Sequence, residues 1–246
     1  MSRLRFFQIR LVASAALLLL VLTLVRLLWY PGAYFTISGV SGRLWILVGV
    51  VMVVGPVLST FVYKPGKKRL VMDLGVLAVV ELAVVIVASA IIFQGRPYFT
   101  VFAVDRFEAV AVQEISGSPV PQHLFVGQSG QNQHLVYAEL PEDPETMSAL
   151  IDETVFYGMA DIDRRPEFWK PYSDGIATIK ATALPLEALL GGDESRAAAV
   201  NTWLVGYGGS AHEYTYLPLR GKAGDAVIIL SADTGYPIAT LNVDPW

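Results

Sequence analysis

The chain has 246 residues, 54% of them hydrophobic and only 16% charged, with a formal net charge of −4 and no cysteine. Soluble domains carry about a quarter charged residues, so the composition excludes an ordinary soluble protein, and the lack of cysteine excludes a disulfide-stapled scaffold. The charge is split unevenly: residues 1–93 hold nine Lys/Arg against two Asp/Glu, whereas residues 94–246 hold nine against twenty. An apolar, basic first part thus precedes an acidic second part of about 150 residues, long enough to bury its own core.

Three apolar runs fill the first part: Leu11–Leu28, Leu44–Tyr63 and Leu70–Phe93. A helix rises about 1.5 Å per residue, so roughly 20 residues cross a hydrocarbon layer of about 30 Å. Helices satisfy their own backbone where water is absent. The pattern predicts a membrane domain over residues 1–93 with three transmembrane helices, at about 11–28, 44–63 and 70–93. The first run has the basic start of a signal peptide, at Arg3, Arg5 and Arg10. Its small residues, Ala13–Ala16, lie at the wrong end for cleavage, and "RLLWYPGAYF" offers no small-x-small site. It reads as an uncleaved anchor.

Between the second and third runs, "FVYKPGKKRLVMD" concentrates Lys64, Lys67, Lys68 and Arg69, whereas the loop between the first and second carries only Arg43. Cytoplasmic loops are enriched in Lys/Arg. The basic run is therefore expected to be the cytoplasmic turn of a helical hairpin, tightened by Pro65-Gly66. It is too short, and too close to the bilayer, to be a nucleic-acid site. The N-terminus is then inside and residues 94–246 outside. Aromatic residues fit this as interfacial belts: Trp29, Tyr30, Tyr34, Phe35, Phe93, Tyr98 and Phe99 outside, and Phe6, Phe7 and Tyr63 inside.

Polar residues within spans require a reason. Arg26 lies near the outer end of its helix and can snorkel. Asp73 stands beside Lys67–Arg69, where local charge pairing accounts for it. Glu81 falls near the midplane, so it is protonated, paired within the bundle, or turned toward a partner helix. Asp73 and Glu81 differ in direction by about 80°. They share a broad face, and three helices make a poor proton pathway. Gly55-Pro56 is expected to kink the second span. Gly49, Gly55 and Gly75 would permit close helix approach.

The second part reads as an α+β domain. "TVFAVDRFEAVAV" supplies one strand or two, with Val101, Ala103, Phe107, Ala109 and Ala111 alternating imperfectly. Asp143 and Pro144 open a helix whose apolar face is Met147, Leu150, Ile151, Val155 and Met159. Asp193 opens another, with Ala197, Val200 and Leu204 inward. The tail from Tyr216 reads as two strands, Ala226–Leu230 and Pro237–Leu241, joined by a turn with Gly235 in a left-handed conformation. A fragment from about Thr100 to Trp246 is expected to be soluble and metal-free.

No catalytic constellation emerges. His123, His134 and His212 lack metal-ligand spacing. "GQSGQ" at Gly127–Gln131 ends in glutamine where a nucleophile elbow needs glycine. "GYGGSA" at Gly206–Ala211 follows a helix where a dinucleotide fingerprint follows a strand. No catalytic residue, metal or cofactor is expected.

The ordered set "YPGAYF", "GPVLSTFVYKPGKKRLVMDL", "QGRPYFTVFAVDRFEAV", "RPEFWKPY", "YLPLRGK" and "ADTGYPIATLNVDPW" resembles the type IV pilin accessory proteins, the TfpX/TfpZ group, over nearly the whole chain. The resemblance implies a non-enzymatic helper or chaperone of pilus assembly in a bacterial inner membrane, with residues 94–246 as a periplasmic domain. Its partner would be the major pilin, which waits in that membrane with one apolar helix in the bilayer and a globular head outside. Candidate contacts are Asp73, Glu81, Gly55 and Pro56 in the membrane, and Arg96, Asp105 and Arg106 at the start of the outer domain. A local ion pair is the simpler account of Asp105-Arg106. Two other classes compete: a membrane-anchored periplasmic enzyme, and a sensor or transport subunit using Glu81.

Overall fold

The structure is a computed structural model that describes residues 2–64, 66–126, 128, 133–191 and 193–246. Pro65 of the expected tight turn, and Gly127, Ser129, Gly130 and Gln131 of the glycine-serine stretch, lie outside the described residues. The chain forms two compact units, Met1–Pro31 with Val40–Gly95, and Gly32–Gly39 with Arg96–Trp246. The segment between the first two long apolar helices therefore belongs with the second unit.

The first unit contains three helices long and apolar enough to cross a membrane: Arg3–Trp29, Val40–Val62 and Leu70–Gln94. The first starts eight residues before its apolar run, because Ser2 caps it by accepting a hydrogen bond from Arg5 N at 3.3 Å. It comprises α1 (Arg3–Leu24) and a wide π-helical turn, Val25–Trp29. After the short α2 (Tyr34–Ile37), the second span comprises α3 (Val40–Gly49), a π turn over Val50–Val54 and α4 (Gly55–Val62). Pro56 explains that π turn. Its ring has no N–H and crowds the carbonyl four residues back, and a wider turn relieves the conflict. Gly55 N accordingly donates to Val50 O, five residues back. The third span is α5 (Leu70–Gln94). At one end of the unit Phe6 stacks on Tyr63, ring centroids 4.2 Å apart. At the other, Tyr30 donates to Ile92 O at 2.7 Å.

The second unit is a mixed sheet with helices. Its elements are β1 (Pro97–Ala103), β2 (Arg106–Ala111), β3 (His134–Ala138), α6 (Pro144–Phe156), β4 (Trp169–Pro171), α7 (Ile176–Thr182), β5 (Leu184–Pro185), α8 (Glu187–Leu190), α9 (Glu194–Tyr207), β6 (Tyr214–Gly221), β7 (Gly224–Ser231) and β8 (Pro237–Leu241). The strand order is β4-β3-β1-β2-β6-β7-β8, with β5 pairing β6. The pairs β1–β3 and β2–β6 are parallel and the rest antiparallel. Both sheet faces are covered. One face presents Phe102, Phe107, Leu217, Leu219, Ile228 and Leu230. The other carries two clusters, one around Phe99, Val101, Val110 and Trp169, and one around Tyr214, Tyr216, Val227 and Ile229. This double cover is why β1 fails to alternate: Val101 and Phe102, facing opposite ways, are both fully buried.

Several expectations need correction. The tail holds three strands, because β6 precedes the two expected ones, and Gly235 sits at φ 73° as its turn requires. Asp143 does cap α6, accepting from Thr146 N at 2.8 Å. Of that helix's expected apolar face, however, only Leu150 reaches a core cluster, while Ile151, Val155 and Met159 are exposed. Along α9, Val200 is buried as expected. Tyr34 and Phe99 are not interfacial aromatics: both are buried in the core of the second unit.

The segment Gly32–Gly39 is packed into that core. Ala33, Tyr34 and Ile37 are buried beside Leu217, Leu219 and Ala226. Tyr34 Oη shares a hydrogen bond of 2.6 Å with Thr100 Oγ1, itself fully buried, and burial pushes the Tyr34 hydroxyl up to about 12. Ala33 N donates to Thr240 Oγ1 at 2.9 Å, and Ala223 N donates to Ile37 O at 2.7 Å. Gly221 leaves room for this docking, since a Cβ there would stand 2.5 Å from the Ile37 carbonyl oxygen.

Candidate functional site

Helix lengths place polar groups of the first unit at one depth. Ser14 lies eleven residues into α1 and Glu81 eleven residues into α5, about 16 Å along each helix. Ser14 Oγ donates to Glu81 Oε1 at 2.7 Å. Arg10, one turn earlier on α1, extends its guanidinium to form an ion pair with Glu81 Oε2. Glu81 is therefore paired within the bundle, one of the three situations open to it. Its side chain is 12% exposed and that of Arg10 23%.

The second span shapes the third side of this cluster. A Cβ on Gly55 would stand 2.5 Å from Glu81 Oε1, so glycine is what seats the carboxylate there. Ser59, one turn on, is buried. A cavity of about 60 Å³ adjoins the carboxylate, walled largely by Val50, Leu58, Leu77, Val80 and Val84. A surround this apolar strengthens every charge interaction inside it. The carboxylate thus ties the first and third helices together and packs against Gly55 of the second.

Among the expected contact residues, Glu81 and Gly55 thus come together, with Pro56 setting the π turn that precedes them. Gly49 and Gly75 do not mark close approaches, for a Cβ at either would meet nothing within 4 Å. Asp73 stands apart and pairs with Lys67 at the start of α5, the local pairing its position suggested. Sequence reasoning missed Arg10 and Ser14. Arg10 counted as part of the charged N-terminus because the apolar run begins one residue later.

In the second unit, Arg96 lies over the Tyr98 ring, 4.9 Å from its centroid. Asp105 and Arg106 form an ion pair at 2.8 Å in the turn joining β1 to β2. The seven residues of β1 separate Arg96 from that turn, about 23 Å of extended chain, so the structure does not gather these three into one site. Among the described residues, no group of three or more His, Asp or Glu could hold a metal ion.

No family model matches the chain, and no solved structure matches it. Three known proteins of Dichelobacter nodosus are similar to it. "Fimbrial assembly protein, serogroup I" and "Fimbrial assembly protein, serogroup E1" are each 27% identical over 167 residues, which cover 66% of this chain and 64% of each relative. "Fimbrial assembly protein, serogroups C1 and C2" is 26% identical over 101 residues, 40% of this chain and 77% of the relative. The matched region thus spans less than two thirds of the first two relatives' length.

Proposed function

We propose that this chain is a non-catalytic, membrane-bound accessory factor in pilus assembly, with the type IV major pilin as its client. The similarity to two proteins named fimbrial assembly protein carries this reading. Three helices apolar enough to cross a bilayer support a membrane setting. Little of their surface is used within the unit: 11% of the apolar window of the third span is buried. That leaves lateral surface for lipid and for a client's single apolar helix. Contact is weak and reversible, because a pilin must leave for the fibre.

The inner membrane is the proposed location, with Lys64, Lys67, Lys68 and Arg69 holding their loop in the cytoplasm and the outer domain in the periplasm. A reporter active only outside the cytoplasm is expected to work when fused after Trp246 and to fail when inserted at Gly66. An inactive C-terminal fusion on a stable protein overturns this topology.

A deletion strain tests the function. Pilin is expected to be made and its leader processed, since neither step needs a holding surface, while surface pili or their dynamics decline. Normal pili together with loss of a hydrolytic or transport activity would replace the accessory reading with one of its competitors.

A further inference from the structure

Period-two alternation places Arg106, Glu108 and Val110 of β2 on one sheet face, and Tyr214, Tyr216 and Arg220 of β6 on the same face. Val110 belongs to one apolar cluster there, and Tyr214 and Tyr216 to the other. Between the two clusters the face is charged. Glu108 and Arg220 stand opposite each other in the β2–β6 register. The helical turn Ile162–Arg164 brings Asp163 and Arg164 against them, and Lys222 follows from the end of β6. Together they line a cleft of about 480 Å³, within the range of small-ligand sites and far larger than one ion requires. Val104 at its rim holds φ 61°, a strained conformation for a β-branched residue.

Most of the cleft's charges have partners. Asp163 is buried and paired with Arg164, Lys222 with Glu114, and Arg106 with Asp105. Two residues are left: among the described residues, neither Glu108 nor Arg220 makes an ion pair within 4.0 Å or a side-chain hydrogen bond. We propose that this cleft binds a carboxylate presented by a peptide, with Arg220 as its principal partner. A guanidinium matches a carboxylate with two parallel hydrogen bonds. Asp161 and Asp163, which also line the cleft, repel a phosphate dianion more strongly than a singly charged carboxylate. This goes beyond the proposed role in pilus assembly and does not depend on it.

Glu108 makes the site sensitive to pH. Burial pushes its carboxyl up to about 7; Asp163 adds to the shift, and Arg164, Arg220 and Arg106 oppose it. Ionised, Glu108 competes for Arg220 and repels an incoming carboxylate. Protonated, it leaves the guanidinium to the ligand and can donate to it. Binding therefore takes up a proton, and affinity rises as pH falls through about 7. With a midpoint near 7, the protonated fraction changes roughly tenfold between pH 8 and pH 6.

The test is an equilibrium titration of the full chain in detergent micelles with the capped peptide acetyl-Gly-Asp-Gly-amide, its asparagine counterpart, and inorganic phosphate. The aspartyl peptide is expected to bind at least tenfold more tightly than the asparaginyl one, and roughly tenfold more tightly at pH 6 than at pH 8. Arg220→Gln should lower that affinity at least tenfold. Glu108→Gln should bind at pH 8 as the native chain does at pH 6, with a flat pH profile. It serves as the independent arm should Arg220→Gln fail to fold. Equal binding of both peptides, preference for phosphate, unchanged affinity in a folded Arg220→Gln, or no binding at pH 6 each overturns the proposal.

Discussion

Glu81→Leu is expected to destabilise the membrane unit by about 3 kcal/mol, whereas the double variant Arg10→Leu, Glu81→Leu should lie within about 1 kcal/mol of the native chain. The reason is asymmetric desolvation. Removing one member of a buried pair leaves the other charge in an apolar surround, a loss of about 3–5 kcal/mol, whereas replacing both with apolar side chains of similar volume is often neutral. The lower end applies here because Arg10 lies only seven residues into its helix and its long stem can snorkel toward the interface. Gly55→Ala should act in the same direction, since its Cβ would displace the carboxylate from Arg10 and Ser14. A double-mutant cycle on detergent unfolding measures the coupling. A Glu81→Leu chain as stable as the native one shows that the pair does not hold the bundle. Pilin co-purification then separates structure from recognition. If pilin is lost with Glu81→Leu and restored in the double variant, Glu81 acts through the bundle. If it stays lost while the double variant is stable, Glu81 meets the client directly.

The spans were legible because length and hydropathy are local properties. The pairing of Glu81 was not, because its partners Arg10 and Ser14 lie 71 and 67 positions away. Strand β6 escaped for a related reason. Pro218 argues against an interior strand, yet it sits inside one. On that side β5 pairs with Thr215 and Tyr216, and β2 pairs with Leu219 and Arg220. The proline falls in the gap between these two ladders, so neither β5 nor β2 needs its N–H. The exposed side of α6 shows the opposite failure: its periodicity was real, but only Leu150 found a core to enter. The charged cleft was hidden because Glu108 and Arg220 become neighbours only through a parallel strand pairing across more than a hundred residues.

A fragment from Thr100 to Trp246 is not expected to keep the native core, although the acidic second part of the sequence looks self-sufficient. It lacks Ala33, Tyr34 and Ile37, all buried among Leu217, Leu219 and Ala226, and it lacks Phe99 from β1. Burying a large apolar side chain is worth about 1.5–3 kcal/mol, so losing Tyr34 and Ile37 alone removes about 3–6 kcal/mol. Domain stabilities are only about 5–15 kcal/mol. Thr100 would also lose its partner, and an unpaired buried hydroxyl costs about 1–3 kcal/mol more. The fragment should therefore bind a hydrophobic dye, retain far-ultraviolet dichroism and lose its near-ultraviolet signal. A fragment of residues 96–246 with residues 32–39 fused through a flexible linker should recover a cooperative melt. In that fused fragment, Gly221→Val should abolish the recovery, because its Cβ would collide with the Ile37 backbone and side chain. A cooperative transition and native near-ultraviolet dichroism from residues 100–246 alone would show that the core closes without the loop. The loop between the first two spans would then be a passenger on the second unit. The expected failure makes it a structural member of that domain, so an insertion at Thr36 should damage the sheet as severely as a substitution within the sheet itself.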